Sequence, residues 1–274
     1  MTIAPESFNY VRDLVRRESA IVLDTGKEYL VESRLTPLAR AAGAADVNAF
    51  VASLKTRFNP TTQRQVVEAL TTNETSWFRD GAPFTLLRND ILPTLAANRP
   101  GRQLRVWCAA CSSGQEPYSV AMTALDTPAV GGWKLEIVAT DLNEEMVARA
   151  RAGRYSQLEV NRGMPATSLV KHFTRDGVNW KIAPTLASTV SFRQLNLMRP
   201  FPAMGRFDVV FMRNVLIYFD LPTKRDILRR VAQVLAPDGY LFLGAAEMTM
   251  GIDDQWERLP TGRSSVYQIR KDQR

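Results

Sequence analysis

After Pro100-Gly101 the chain falls into short apolar runs alternating with amphipathic stretches, and this rhythm constrains the fold more than any other feature. "LRVWCAA" (104–110) reads as a strand and "PYSVAMTALD" (117–126) as a helix; "KLEIVATD" (134–141) and "NEEMVARARAG" (143–153) repeat the pair. Strands follow at "VSFRQLN" (190–196) and "FDVVFMRNV" (207–215), then a helix at "LPTKRDILRRVAQVLAPDG" (221–239). Strands "YLFLGAA" (240–246) and "SVYQIRK" (265–271) complete the series. Apolar strands separated by helices mean an α/β fold with a parallel, doubly wound sheet covered on both faces. Residues 154–188 break the rhythm: "SLVKHF" and the Asp-Gly of "TRDGVNWKI" suggest a small insertion carrying a hairpin turn.

Residues 1–72 show the other periodicity and should form a small helical domain. Phe8, Val11, Leu14 and Val15 fall on one face, as do Leu30, Val31, Leu35 and Leu38, with Gly43 placed as a C-cap. Asp46 is a natural N-cap for a third helix burying Val47, Phe50, Val51 and Leu54, and "TTQRQVVEALTTNETSWF" (61–78) gives a fourth. Residues 73–100 read as linker and junction, and 101–274 as the α/β domain.

The net charge of +7 asks for an anionic partner: nucleic acid, anionic lipid or an acidic protein surface. Residues 1–72 are nearly balanced, so the excess lies mostly beyond them, and no block of like charge resembles a nucleic-acid tail. No apolar run approaches the ~20 residues of a membrane span, and the N-terminus has no apolar signal core, so a cytoplasmic protein is expected. Two cysteines argue against a disulfide framework.

The first strand-to-helix turn, Ala109 to Pro117, lies where such sheets bind ligands. Its small residues admit a close approach to the backbone, and Pro117 suits the first helical position. With a single glycine it is not the dinucleotide fingerprint. Glu116 at the helix mouth would repel a pyrophosphate and favour an ammonium group; the alternative is an ordinary tight turn. Asp141, ending the second strand, is placed to hold ribose hydroxyls or to cap the next helix, a role Asn143 can equally fill. Asn214 follows an apolar strand at its crevice end, as a ligand contact or a loop cap. Asn73, Thr75 and Arg79 meet in "TTNETSWFRD", where Arg79 can pair with a ligand carboxylate or bridge two domains. Cys108 and Cys111 form a C-x-x-C, but one histidine and two cysteines cannot make a Cys/His zinc site, so no metal is expected. Cys108 falls inside a strand rather than at a helix N-terminus, which disfavours redox chemistry, and His172 has no triad company.

Together, "LTTNETSWFRD", "RVWCAACSSGQEPYSVAM", "ATDLN", "RNVLIYFD" and "LAPDGYLFLGAAE" resemble the CheR chemotaxis methyltransferases in order and spacing, over nearly the whole chain. The resemblance implies a class I S-adenosylmethionine (SAM)-dependent, Rossmann-like domain with an N-terminal all-helical domain and a small inserted β-subdomain at about 154–188. It implies methyl transfer from SAM to glutamate carboxylates of chemoreceptors, in their glutamate-rich helical cytoplasmic region, with S-adenosylhomocysteine (SAH) as product. It places Asn73, Thr75 and Arg79 at the methionine end of SAM, Glu116 in the loop motif and Asp141 on the ribose. Asn196, Leu197, Asn214 and Val215 complete the implied pocket. No side chain is assigned a catalytic role: a glutamate of pKa about 4.3 is already ionised at neutral pH, so no general base is required. Tyr218 can line the acceptor side or belong to the core.

In some family members the inserted subdomain binds a C-terminal receptor pentapeptide. "FTRDGVNWKIAP" is compact and lacks a G-x-G, so pentapeptide-independent action is expected. Arg34, Arg40, Lys55 and Arg57 are candidate receptor contacts or solvated helix faces. A monomer acting without nucleic acid or membrane insertion is expected. The readings set against it are a nucleic-acid methyltransferase and a non-catalytic SAM-sensing scaffold.

Overall fold

The computed structural model describes residues 3–262 and 264–270; Lys271, the end of the strand read over 265–271, lies outside them. The chain divides into two units. One comprises the chain up to Thr72 with Asn196–Met198 and Tyr218–Lys224, and the other comprises the rest.

The first unit holds α1 (Pro5–Ser19), α2 (Glu28–Ala41), α3 (Val47–Thr56) and α4 (Pro60–Ala69). The expected face of α1 is buried, as is that of α3, where the Asp46 carboxylate accepts the Ala49 N–H at 2.8 Å. On α2 the buried stripe is Val31, Leu35 and Ala39, while Leu30 and Leu38 are half-buried. Gly43 adopts φ +69 and closes α2: its N–H bonds the Arg40 carbonyl and that of Ala44 bonds Ala39, a Schellman pair. Helix α4 stops at Ala69 instead of continuing to Phe78. There the Thr71 hydroxyl turns back to the Glu68 carbonyl, and the Thr-Thr-Asn run competes with helical bonding.

In the second unit α5 (Ala82–Leu86), a π-helical turn (Leu87–Ile91) and α6 (Leu92–Asn98) occupy the stretch read as linker. Leu87, Ile91 and Leu95 recur every fourth residue and are buried. The α/β part begins with β1 (Gln103–Ala109), α7 (Gln115–Leu125), β2 (Lys134–Asp141) and α8 (Glu144–Ala152). An inserted piece follows, with β3 (Arg154–Ser156), α9 (Gln157–Asn161), α10 (Ala166–His172), β4 (Phe173–Asp176), β5 (Asn179–Ile182) and α11 (Pro184–Ala187). Then come β6 (Val190–Gln194), β7 (Phe207–Met212), α12 (Leu221–Val234), β8 (Leu235–Leu243), β9 (Trp256–Arg258) and β10 (Ser265–Ile269).

Seven strands form one sheet in the order β6-β2-β1-β7-β8-β10-β9. The first five are parallel, as expected, whereas β10 runs antiparallel to β8 and β9. A parallel partner needs a crossover segment, normally a helix, and no helix lies between β8 and β10 among the described residues. From β1 the chain winds one way, to β2 and β6; from β7 it winds the other way, to β8. Right-handed crossovers therefore set α7 and α8 on one face and α12 on the other, with the switch point between the C-terminal ends of β1 and β7.

Helix boundaries in the α/β part also depart from the sequence reading, at α7 and α12 above all. Helix α7 begins at Gln115, so Pro117 is its third residue rather than its first, still in the turn whose N–H groups have no helical partner. Helix α12 ends at Val234, five residues early, because Pro237 disfavours helical geometry at Ala236. The insertion is a three-stranded antiparallel sheet, β3-β5-β4. Its β4–β5 hairpin pairs Asp176 with Asn179 across Gly177-Val178, with Gly177 at φ +62 in the position a type II′ turn reserves for glycine.

Candidate functional site

Seven non-glycine residues among those described have positive φ: Ala20, Phe78, Asp80, Arg102, Ala110, Ser112 and Asn214. Five of them fall in three segments of the second unit, namely the 73–81 run and the loops after β1 and β7. Such strain costs on the order of 1 kcal/mol or more per residue and persists where surrounding bonds over-determine the backbone. Those bonds converge on the switch point.

Asp141 is 7 % exposed. Its Oδ2 accepts the Ser112 N–H at 2.7 Å and its Oδ1 the Asn143 N–H at 2.9 Å, so one carboxylate ties the β1–α7 loop to the β2–α8 loop. Burial pushes the carboxyl up, against backbone N–H groups of Asn143, Ser112 and Leu142 that favour the ionised form. The cap of α8 is Asn143, whose Oδ1 accepts the Glu145 and Met146 N–H groups, which leaves Asp141 free of that role. The Ser112 hydroxyl donates to the Asn73 carbonyl at 2.8 Å and brings the 73–81 segment to the same loop. Gly114 opens α7 at φ +95; a Cβ there would lie 2.9 Å from the Ala150 Cβ.

Glu116, in the first turn of α7, is half-buried, its side chain 12 % exposed, and ion-paired. Arg213 Nη1 donates to its Oε2 at 2.8 Å, and Arg213 Nη2 reaches Asp80 Oδ2 at 2.6 Å and the Arg79 carbonyl at 3.1 Å. Burial raises the Glu116 carboxyl, while the nearby Arg213 and Arg79 guanidiniums act to lower it. The helix mouth therefore holds an acid, as expected, with a counter-ion the sequence reading did not assign. Arg79 itself donates to the Glu74 carbonyl at 3.2 Å, and Thr75 is half-buried in the same segment.

Glu247, quoted in the motifs but given no role, does for the β7 and β8 loops what Asp141 does for the other pair. Its carboxylate accepts the N–H groups of Asn214 (2.7 Å), Gly244 (2.7 Å) and Ile217 (3.3 Å), and it is 5 % exposed. The signal available was a lone acid just past an apolar strand. Asn214 sits there at φ +59, with Val215 buried beside it. Asn196 and Leu197 lie in the helical unit, where Asn196 Nδ2 donates to the Glu18 carbonyl at 2.7 Å. Tyr218 is in that unit too, its carbonyl accepting the Val22 N–H.

The inserted subdomain is bolted to this site. The Tyr155 hydroxyl donates to the Ser113 carbonyl at 2.8 Å, and the Trp77 ring meets Tyr155 and Phe173 edge-on at 4.8 and 5.3 Å. Cys108 and Cys111 are buried, and burial drives both thiols up, away from the reactive thiolate. His172 is buried and bonds Asp126 through Nε2 at 3.2 Å.

A doubly wound sheet with an acid at the first helix mouth, a second acid after the neighbouring strand and small residues between them fits SAM: an adenosine bearing an amino-acid tail with ammonium and carboxylate ends. The fold and crevice define a class I SAM-dependent methyltransferase. The family model described as CheR methyltransferase, all-alpha domain matches residues 6–71, and that for CheR methyltransferase, SAM binding domain matches 73–264. The chain is 40% identical over 268 residues to chemotaxis protein methyltransferase Cher2 of Pseudomonas putida, covering 96% of this chain and 98% of that one. It is 40% identical over 275 residues to chemotaxis protein methyltransferase 1 of Pseudomonas aeruginosa (98% and 100% covered), and 34% identical over 280 residues to that of Escherichia coli (99% and 93%). The chain belongs to the CheR methyltransferase family.

The cysteines lend themselves to a direct check. Cys108→Ala/Cys111→Ala should keep methyl transfer within about threefold of wild type, since neither buried thiol is poised as a thiolate. Loss of activity on mild thiol oxidation of the wild type, reversed by reductant, would give them a part in function.

Proposed function

We propose that the protein methylates glutamate side chains in the helical, glutamate-rich cytoplasmic region of chemoreceptors, forming methyl esters and SAH. The observation that carries this reading is the charge arrangement at the switch point: Glu116, half-buried at the helix mouth and suited to an ammonium group, with Arg79 near it, suited to a carboxylate. Asp141 keeps acceptor capacity beyond its backbone bonds and suits ribose hydroxyls. Asn73, Thr75, Asn214 and Val215 are assigned to the same pocket, and Asn196 and Leu197 to it by family resemblance alone.

Bound SAM supplies an electrophilic methyl on a sulfonium sulfur. The chain's task is to hold the tail through Glu116 and Arg79, fix the ribose through Asp141 and keep the loops rigid through Asp141 and Glu247. An ionised acceptor carboxylate needs alignment more than proton transfer. A basic surface favours encounter with an acidic receptor helix, with Arg34, Arg40, Lys55 and Arg57 as candidate contacts. Of these, Arg34 is engaged with the Thr71 carbonyl. We place the protein in the cytoplasm as a monomer; no helix among the described residues is long and apolar enough to cross a membrane. The compact Gly177-Val178 turn, without a G-x-G, supports action without a receptor pentapeptide.

The test is methylation with tritiated SAM of receptor fragments with and without their C-terminal peptide, and of nucleic acid. Base-labile label on both receptor forms at similar rates, and none on nucleic acid, is the expected result. Dependence on the peptide would overturn pentapeptide independence, and SAM binding without turnover across a competent receptor panel would overturn the enzyme reading.

A further inference from the structure

Arg213 follows β7 directly, and continuing the β1–β7 register sets it beside the turn that leads from β1 into α7. Its side chain is 1 % exposed. It carries a guanidinium into the interior, stacked toward the Phe84 ring at 5.9 Å, and its Nε finds no acceptor among the described residues. A buried cation with an unsatisfied donor is a poor stabilising device, because desolvation offsets much of what its ion pairs contribute. Its partners give a different reason for its presence. One nitrogen holds the Glu116 carboxylate, and the other holds both the Asp80 carboxylate and the carbonyl of Arg79. A single planar group thus links the acid at the helix mouth to the backbone that carries Arg79.

We infer that Arg213 is a positioning residue for the amino-acid end of SAM: it holds Glu116 toward an ammonium group and fixes the spacing between Glu116 and the Arg79 segment. This rests on the crevice being the SAM site. Arg213 touches neither reacting atom; it acts through Glu116 and the 79–80 backbone. Lysine cannot replace it fully, since an ammonium group has no planar fork to span two carboxylates and a carbonyl in fixed geometry. The groups facing Glu116 are Arg213, Arg79, Glu247 and the two buried thiols of Cys108 and Cys111. Without Arg213, only Arg79 opposes the burial that favours the neutral acid. Glu116 would then be ionised, and able to hold an ammonium, only at higher pH.

The experiment is a double-mutant cycle read by SAH titration calorimetry between pH 6 and 8, on wild type, Arg213→Met, Arg213→Lys, Glu116→Gln and the Glu116→Gln/Arg213→Met double variant. Arg213→Met should weaken SAH binding about 30-fold or more at pH 7, as expected for truncating one partner of a buried charge pair. The deficit should shrink as pH rises, Arg213→Lys should recover part of it, and Arg213→Met should cost clearly less in the Glu116→Gln background, where only its hold on the 79–80 backbone is left to lose. The double variant removes both buried charges together, so it reports even if Arg213→Met fails to fold. Additive losses in the cycle, a deficit independent of pH, or a double variant about 30-fold or more weaker than Glu116→Gln would overturn the positioning role. Wild-type protein that binds no SAH would instead overturn the reading of the crevice.

Discussion

Asp141→Ala should lower affinity for SAM and SAH by roughly 100-fold and destabilise the second unit by about 3 kcal/mol. The stability loss follows from the backbone donors that the carboxylate satisfies, above all Ser112 N–H at 2.7 Å and Asn143 N–H at 2.9 Å, both buried. Leaving such a donor unsatisfied costs ~1–3 kcal/mol. Asparagine is no remedy: its amide offers one oxygen, so its NH₂ would face a second backbone N–H, and Asp141→Asn should be nearly as damaging. The binding loss has two sources. Asp141 is the acceptor proposed for the ribose, and it also holds Ser112 at positive φ, which fixes the loop that approaches the cofactor. Urea denaturation and calorimetry with SAH separate the two, and near-native SAH affinity in Asp141→Ala would overturn the ribose assignment.

The elements around this site were legible to different degrees, for physical reasons. Strand β2 was read at its observed bounds because apolar continuity and a terminal acid mark a buried parallel strand. The α1 and α3 faces were equally plain, since 3.6-residue periodicity is a local property. Helices α5 and α6 were not, because Ala-Pro-Phe and Leu-Pro stretches disguise starts in which proline occupies the first turn. The antiparallel β9–β10 edge was hidden because strand direction is set by connection length and partner, not by composition. At the site, Asp141 and Asn214 could be named from their places at strand ends, and Glu116 from its place at a helix mouth. Their partners could not. Arg213 lies 97 residues from Glu116, and Glu247 lies 33 from Asn214. No periodicity encodes such pairings; the sheet order brings them together. The same holds for Tyr155 and Ser113, which join an inserted subdomain to a loop 42 residues earlier.

That last connection makes Gly163→Ala the most severe single-methyl change in the second unit. Gly163 follows α9 at φ +98, and a Cβ there would sit 2.3 Å from the Trp77 carbonyl oxygen, far inside contact distance and against backbone that cannot rotate away. Trp77 is pinned in turn: its N–H donates to the Arg162 carbonyl at 3.0 Å, and its ring is wedged against Tyr155 and Phe173. Relief requires the α9 end and the 73–81 segment to separate, which unseats Trp77 and loosens the Tyr155 bond to Ser113. Left-handed strain contributes ~1–2 kcal/mol and the clash more, so a loss of about 4 kcal/mol is expected. In a chain of this size that is roughly 8–16 °C of melting temperature. Gly177→Ala isolates the first contribution, because Gly177 has φ +62 but nothing within 4 Å of its would-be Cβ. It should cost only ~1–2 kcal/mol and leave SAH affinity unchanged. Gly163→Ala should weaken SAH binding as well, since the loop that Tyr155 steadies belongs to the cofactor crevice. Equal melting shifts for the two variants would show that the Trp77 contact yields freely and that the subdomain does not brace the site.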